Sequence, residues 1–232
     1  MSEKLPIEPA RTDVQAFLDE LKKLPARPSV GRARLIFALD ATASREPTWD
    51  TACDTQGRMF LEAGRLGGLE VQLVFYRGFH ECKASRWVRD SRALVELMTK
   101  VTCRAGQTQI RRVLRHAIGE AKREPVRALV FIGDAMEEEL DELAQLAGEL
   151  GILGVKGFFF QEGSDPRAER AFREIARLTG GAYCRFDRNA PAELAELLGA
   201  VAAYAAGGAG VLEDLRRRGS PAVRLLAHQV RS

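Results

Sequence analysis

Side chains that carry oxygen follow two separate apolar stretches of this sequence, at the point where each stretch ends. Asp40, Thr42 and Ser44 come directly after the first stretch, and Asp134 comes directly after the second. Thr108 stands between them in the chain, in a segment that leads into a helical pattern. Carboxylate and hydroxyl oxygens are the ligands that a hard divalent cation such as Mg²⁺ prefers. These five residues therefore predict a divalent-metal site.

The elements that must position these side chains alternate regularly along the chain. Strand patterns at about 34–40, 71–76, 126–133, 154–160 and 182–186 are separated by helical patterns near 47–66, 90–101, 109–123, 138–150 and 166–178, and a last helix is expected near 190–205. Strands that alternate with helices indicate an α/β fold with a parallel sheet covered on both faces. A further short strand over 79–85 is predicted to pair antiparallel with the second strand at the edge.

Both ends of the chain carry additional helical patterns. Apolar residues recur at helical spacing over about 12–24, so residues 1–32 are predicted to form an amphipathic helix and a linker. The glycine-rich segment 207–210 is predicted to be a linker into a basic helical tail within 207–232. The main domain is then expected to span 33–206, and the terminal helices could dock on a partner or on the domain itself.

The composition excludes several classes of protein. The 232 residues are 46% hydrophobic and 29% charged, with a formal net charge of +3, which is too balanced for a dedicated nucleic-acid binder. The four cysteines have neither zinc-site nor disulfide-framework spacing. No segment predicts a signal peptide or a membrane span. We therefore expect a cytoplasmic protein with reduced thiols.

Two charged clusters flank the predicted site. Three glutamates after Asp134 are predicted to complement the dipole of the helix that they open, at Glu137, Glu138 and Glu139. Four arginines beside Thr108 are predicted to form a solvated face, since no aromatic residues interleave with them, at Arg104, Arg111, Arg112 and Arg115.

The five oxygen donors resemble the metal-ion-dependent adhesion site (MIDAS) of von Willebrand factor A (VWA) domains. That motif is Asp-x-Ser-x-Ser after the first strand, a Thr in a later loop and an Asp after the fourth strand. Asp40-Ala41-Thr42-Ala43-Ser44, Thr108 and Asp134 take these places, with Thr42 at the first Ser. The resemblance covers roughly residues 33–205. It implies a Rossmann-like, doubly wound, mostly parallel six-stranded sheet of order 3-2-1-4-5-6, with one antiparallel edge strand.

The same resemblance implies a function. Thr42, Ser44 and Thr108 would supply neutral oxygens to Mg²⁺, Mn²⁺ or Ca²⁺, while Asp40 and Asp134 bind directly or through water. The cation would keep an open position for a Glu or Asp of a partner protein. The resemblance implies a non-enzymatic interaction module of bacterial intracellular type, working beside an AAA+ ATPase or in a stress-response complex. The balanced charge predicts no nucleic-acid partner, and the lack of a long apolar segment predicts no membrane span.

Two alternatives use the same residues differently. In a Mg²⁺-dependent phosphohydrolase of the haloacid dehalogenase type, Asp40 would attack phosphate and the segment from Asp134 to Glu138 would hold the metal. That class needs a second acid two residues after the nucleophile, where this chain has Thr42. In the other alternative, the hydroxyls merely cap helices or turns and the aspartates are incidental. We therefore predict an interaction module rather than an enzyme.

Overall fold

A six-stranded sheet forms the centre of the molecule. The computed structural model describes residues 33–47, 49, 57, 69–187 and 191–230. The strands are β1 (Ala33–Asp40), β2 (Leu69–Arg77), β3 (Glu81–Ala84), β4 (Ala128–Gly133), β5 (Lys156–Glu162) and β6 (Ala182–Phe186). Their order is β3-β2-β1-β4-β5-β6, and only the β2–β3 pair of this sheet is antiparallel. The predicted sheet order and antiparallel edge strand are confirmed.

Helices follow the strands much as the sequence patterns predict, with ends that differ by a few residues. They are α1 (Ser91–Thr99), α2 (Ile110–Arg123), α3 (Leu140–Ile152), α4 (Pro166–Thr179), α5 (Pro191–Gly207), α6 (Ala209–Arg218) and α7 (Pro221–Gln229). A short 3-10 helix, Ala43–Arg45, follows β1. Asp90 and Asp165 cap α1 and α4 by accepting hydrogen bonds from first-turn N–H groups.

Helices cover both faces of the sheet, so its central strands are buried on both sides. Leu35 and Phe37 of β1 face a layer that contains α1, α5, α6 and α7. Ile36 and Ala38 face the opposite layer, which contains α2, α3 and α4. This two-sided burial explains why the strands are nearly continuous apolar runs.

The two C-terminal helices pack on the domain. Helices α5 and α6 meet at Gly208, whose φ of +76° lets the chain turn within one residue. The linker predicted there is therefore a tight helix–helix turn. Val223 and Leu226 of α7 are fully buried, and Gln229 pairs with the backbone N–H and C=O of Tyr183 in β6, each at 3.0 Å.

Two predicted elements lie wholly or mostly outside the described residues. They are the N-terminal amphipathic helix and most of the helix near 47–66, of which residues 46, 47, 49 and 57 have helical backbone. Trp49 is buried, and its indole N–H donates to the Val101 carbonyl at 2.9 Å. None of the helices in the described part of the chain combines the length and apolar character that crossing a membrane requires.

Candidate metal centre

Asp40 ends β1 and is completely buried at the C-terminal edge of the sheet. Its Oδ1 accepts the backbone N–H of Thr42 at 2.8 Å. Its Oδ2 accepts the hydroxyl of Tyr76 at 2.7 Å. Tyr76 lies beside it because the register of the parallel β1–β2 pair places residues 40 and 76 opposite each other. Both carboxylate oxygens are therefore held by protein donors.

The surroundings of Asp40 concentrate negative charge. Burial raises the pKa of Asp40, the hydrogen bonds from Thr42 and Tyr76 lower it, and the nearby Asp134 carboxylate raises it again. Burial and these carboxylates also raise the pKa of Tyr76 well above its usual value. A divalent cation placed between the carboxylates would relieve this charge.

The Thr42 and Ser44 hydroxyls lie next to each other just beyond Asp40. Their oxygens are 3.1 Å apart, and Thr42 is buried while Ser44 is exposed. The N–H of Arg45 donates to the Thr42 carbonyl at 3.1 Å, which closes the short 3-10 helix that carries Ser44. Thr42 therefore keeps the hydroxyl that a Ser would place here.

A buried ion pair holds this 3-10 helix to the sheet. The guanidinium of Arg45 pairs with the Glu162 carboxylate at the end of β5, and both side chains are almost fully buried. Neither residue belongs to a local motif, so the sequence pattern alone does not predict this pair. It anchors the residue directly after Ser44.

Asp134 follows β4, the strand that neighbours β1. Gly133 packs closely on Asp40, since a Cβ at residue 133 would stand 3.5 Å from the Asp40 Cβ. One oxygen of Asp134, Oδ1, is buried and has no hydrogen-bond partner among the described residues. A buried carboxylate oxygen is costly unless a donor or a cation satisfies it. This oxygen therefore fits a metal ligand.

Thr108 is buried and tied to the loop that Asp134 begins. Its Oγ1 accepts the backbone N–H of Glu137 at 3.0 Å, and its own N–H donates to Glu137 Oε2 at 3.0 Å. A hydroxyl oxygen has two acceptor sites, so Oγ1 keeps one for a cation. The structure thus brings Thr108 to the same sheet edge as the two aspartates.

The prediction that the glutamates after Asp134 complement the dipole of their own helix is wrong for Glu137 and Glu138. Helix α3 begins only at Leu140, so Glu137 and Glu138 precede its first turn. Glu138 instead accepts the N–H groups of Ile110, at 2.5 Å, and Arg111, at 3.0 Å, at the start of α2. Burial raises the pKa of this carboxyl, and the two backbone donors lower it. Both glutamates therefore serve the loop and helix around Thr108 rather than their own helix.

Helix α2 needs these acceptors because the residue before it does not cap it. The residue before α2 is Gln109, which makes no side-chain cap on that helix. Its amide donates instead to the carbonyls of Arg77 and Gly78, at 3.2 and 3.0 Å. The first N–H groups of a helix need acceptors, and the glutamates supply them. The sequence did carry a signal for this cap: Gln109, the residue before α2, is not a Ser, Thr, Asp or Asn, so the first N–H groups of α2 need acceptors from elsewhere.

The donor set favours a hard cation. Within the described ranges, no group of three or more His, Cys, Asp or Glu side chains is placed to hold a metal ion. A metal at this edge would therefore depend on hydroxyl oxygens beside two carboxylates. Such a mixture of neutral and charged oxygens suits Mg²⁺, Mn²⁺ or Ca²⁺ rather than zinc.

Comparison with known proteins identifies the fold. No protein family model and no curated protein match the chain. Among solved structures, the SpRpn10 VWA domain is similar over 68% of this chain and 89% of that one, with 12% identity and a TM-score of 0.51. The vWF domain of the type V pili tip protein Mfa5 from Porphyromonas gingivalis is similar over 74% and 94%, with 11% identity and a TM-score of 0.57. The protein has a VWA-like fold.

A third similar structure is an aerotolerance-related membrane protein from Bacteroides fragilis, crystallised with multiple mutations to serines. The similarity covers 70% of this chain and 96% of that one, with 18% identity and a TM-score of 0.53. At these identities the likeness concerns the fold of the VWA-like domain. The adjacency of β1 and β4 in that fold explains why Asp40 and Asp134 lie at neighbouring strand ends, near enough to influence each other electrostatically.

Proposed function

We propose that the VWA-like domain is a protein-interaction module that depends on a divalent cation. The hydroxyls of Thr42, Ser44 and Thr108 would hold Mg²⁺, or Mn²⁺ or Ca²⁺, together with Asp134, while Asp40 binds directly or through water. An open position of the cation would take a Glu or Asp of a partner protein. The observation that supports this proposal is the buried Asp134 Oδ1, which finds no partner among the described residues.

Binding without turnover accounts for the surroundings of Asp40 better than catalysis does. A nucleophilic carboxylate must reach its substrate, whereas Asp40 is completely buried and both its oxygens accept hydrogen bonds from the protein. The place of the second acid of a phosphohydrolase is taken by Thr42, whose hydroxyl is a poor general acid. Mg²⁺-dependent hydrolysis of a generic phosphomonoester, abolished by Asp40→Asn, would contradict this proposal.

The setting of the module is a proposal from the sequence resemblance. We propose a cytoplasmic location and a partner within an AAA+ ATPase or stress-response complex. The similar solved structures come from varied settings, including a membrane protein and a pilus tip protein.

The metal site is testable with conservative variants. Titration calorimetry with MgCl₂ and MnCl₂ should detect one site in the wild type, and Asp134→Asn should weaken it by about tenfold or more. The cation should also stabilise the wild type, by about 2.7 kcal/mol at a hundred times the Kd. The matched control is Asp141→Asn, an exposed carboxylate in the first turn of α3. Equal affinity in wild type and Asp134→Asn would refute the site.

A further inference from the structure

An exposed aromatic side chain lies at the same sheet edge as the candidate metal centre. Phe79 is 63% exposed and occupies the turn between β2 and β3. Gly78 opens this turn with a φ of +59°. His80 follows Phe79 in the turn, Arg104 and Arg112 lie beside the turn, and all three are exposed. We call Phe79, His80, Arg104 and Arg112 the Phe79 patch.

Two arginines contact the backbone on either side of Phe79. The Arg112 Nη1 donates to the His80 carbonyl at 2.6 Å. The Arg104 side chain passes Gly78 closely, since a Cβ on that glycine would stand 3.5 Å from the Arg104 Cδ. These contacts hold both guanidinium-bearing side chains next to the aromatic turn.

The patch carries excess positive charge. Arg77, Lys83 and Arg104 share the single carboxylate of Glu81, at 3.0, 2.9 and 3.7 Å. Arg112 forms no ion pair within the described part of the chain. Hydrogen bonds from Arg77 and Lys83 lower the pKa of Glu81 to about 2, so the charge balance is constant near neutral pH. An anionic partner would be attracted to this surface.

The patch is continuous with the metal centre. The Arg104 N–H donates at 3.0 Å to the carbonyl of Ala41, the residue that follows the buried carboxylate at the end of β1. The Gln107 N–H donates to the Gly78 carbonyl at 3.2 Å, one residue before Thr108. The Phe79 turn and both hydroxyl-bearing loops therefore form one edge of the molecule.

We propose that the Phe79 patch docks an acidic peptide segment of a partner protein. An apolar side chain of that segment packs on Phe79, and its carboxylates pair with Arg104 and Arg112. The inference rests on the proposed function, because another carboxylate of the segment would bind the cation. Guanidinium groups form paired hydrogen bonds with carboxylates, and an exposed aromatic residue is a common centre of binding energy.

Acidic groups beyond Thr108 favour a peptide over a nucleic acid. Glu137 and Glu139 are exposed, and Asp134 and Glu138 are half-buried. A nucleic-acid strand carries a charge at every nucleotide and would place phosphates beside these acids, whereas a peptide can present its carboxylates to the arginines and uncharged residues to the acids. Phe79 is also the single exposed Phe, Tyr or Trp in the part of the chain that the structure describes, whereas single-strand binding normally stacks successive bases.

The test begins with a random peptide library displayed on phage, selected against the wild-type chain in MgCl₂ and eluted with acid. We expect enriched peptides to combine Glu or Asp with Leu, Ile or Phe. Fluorescence anisotropy of one enriched synthetic peptide then measures affinity. Phe79→Ala should lower the affinity by about threefold to tenfold, and Arg104→Ala/Arg112→Ala by about tenfold.

The controls lie on α7, which packs beside β6, at the other end of the strand order from the β2–β3 turn. Leu225→Ala matches Phe79→Ala, because Leu225 is 60% exposed. Arg224→Ala matches the arginine variants, because Arg224 is exposed and has no ion pair with a described residue. Both controls should bind the peptide with wild-type affinity, and urea unfolding should show that all variants fold.

The outcomes separate this inference from the proposed function. Binding that the patch variants weaken, but that survives EDTA and Asp134→Asn, would support the patch and refute the metal bridge. Binding that EDTA abolishes, but that the patch variants leave unchanged, would refute the patch and support the bridge. Enriched peptides without acidic residues, or displacement of the peptide by oligo(dT) at physiological salt, would overturn the inference.

Discussion

At the scale of single residues, the molecule keeps a carboxylate where burial opposes its charge. Asp40 is fully buried, and burial is the largest influence raising its pKa. The Tyr76 hydroxyl and the Thr42 N–H offset part of that cost. A buried carboxylate of this kind lowers the stability of the fold unless a positive charge balances it, and a bound cation would supply that charge. Tyr76 is therefore a positioning residue for Asp40.

The hydroxyl of Tyr76 gives the first prediction. Tyr76→Phe removes the donor to Asp40 and keeps the ring, which stacks on Phe131 with centroids 6.2 Å apart. We expect a loss of about 1–2 kcal/mol in the free energy of unfolding, because a buried acceptor loses its donor. We also expect cation affinity to fall by about tenfold, because Asp40 is less well oriented. Urea unfolding in EDTA and calorimetry with MgCl₂ measure the two effects.

The matched control is Tyr204→Phe. Tyr204 is half-buried and packs on Phe158, with ring centroids 5.6 Å apart. Tyr204 lies on α5, in the layer opposite α2. Tyr204→Phe should therefore leave cation affinity unchanged. If Tyr76→Phe bound Mg²⁺ as tightly as this control, the positioning role of Tyr76 would be wrong.

At the scale of elements, two loops hold each other in place at the candidate site. The loop after β4 supplies Glu137 and Glu138, and these carboxylates accept N–H groups from Thr108, Ile110 and Arg111. The Thr108 hydroxyl in turn accepts a hydrogen bond from the Glu137 N–H. Helix α2 is thus capped by residues from another element, and the cap fixes the hydroxyl proposed to bind the cation.

This cap is the subject of the second prediction. Glu138→Ala should lower the free energy of unfolding by about 1–2 kcal/mol, since two N–H groups at the start of α2 lose their acceptor. Urea unfolding with an unchanged m-value measures it. Glu139→Ala is the control, because Glu139 is exposed and makes no side-chain cap on α3. Equal stability of the two variants would show that the cap contributes nothing.

At the scale of the whole molecule, the C-terminal helices complete one layer and cover one edge of the sheet. Strand β6 lies at the end of the sheet order, where its outer backbone groups lack a neighbouring strand. The Gln229 amide bonds the Tyr183 N–H and C=O there, in the manner of a strand neighbour. Helix α7 also buries Val223 and Leu226 in the main core. The sheet edge is therefore protected by the chain's own C-terminal segment.

Adjacent leucines on α7 test this docking. Leu226 is fully buried, and Leu225 is 60% exposed. Leu226→Ala should lower the free energy of unfolding by about 2–4 kcal/mol through lost burial and a cavity, whereas Leu225→Ala should change it by less than about 0.5 kcal/mol. Urea unfolding of both variants provides the measurement. A negligible effect of Leu226→Ala would mean that α7 is a loosely attached tail.

The sequence by itself determined the strand and helix order and the five candidate ligands. The apolar runs and helical spacings are local patterns, and they report which faces of each element are buried. Asp40, Thr42, Ser44 and Asp134 were identifiable because they stand at or just beyond the ends of strand patterns, and Thr108 because it precedes a helical pattern. The antiparallel edge strand was predicted from the alternation over 79–85, the sheet order from the resemblance, and both are confirmed.

Only the tertiary structure decided which residues support that site. Tyr76 and Asp40 are 36 residues apart, Glu138 and Ile110 are 28 apart, and their bonds depend on strand register and on how two loops meet. The role of Gly208 as a tight turn, rather than part of a linker, likewise follows from helices that pack on distant strands. Local periodicity carries no information about such contacts, because it describes one element at a time, whereas the contacts arise where separate elements pack together.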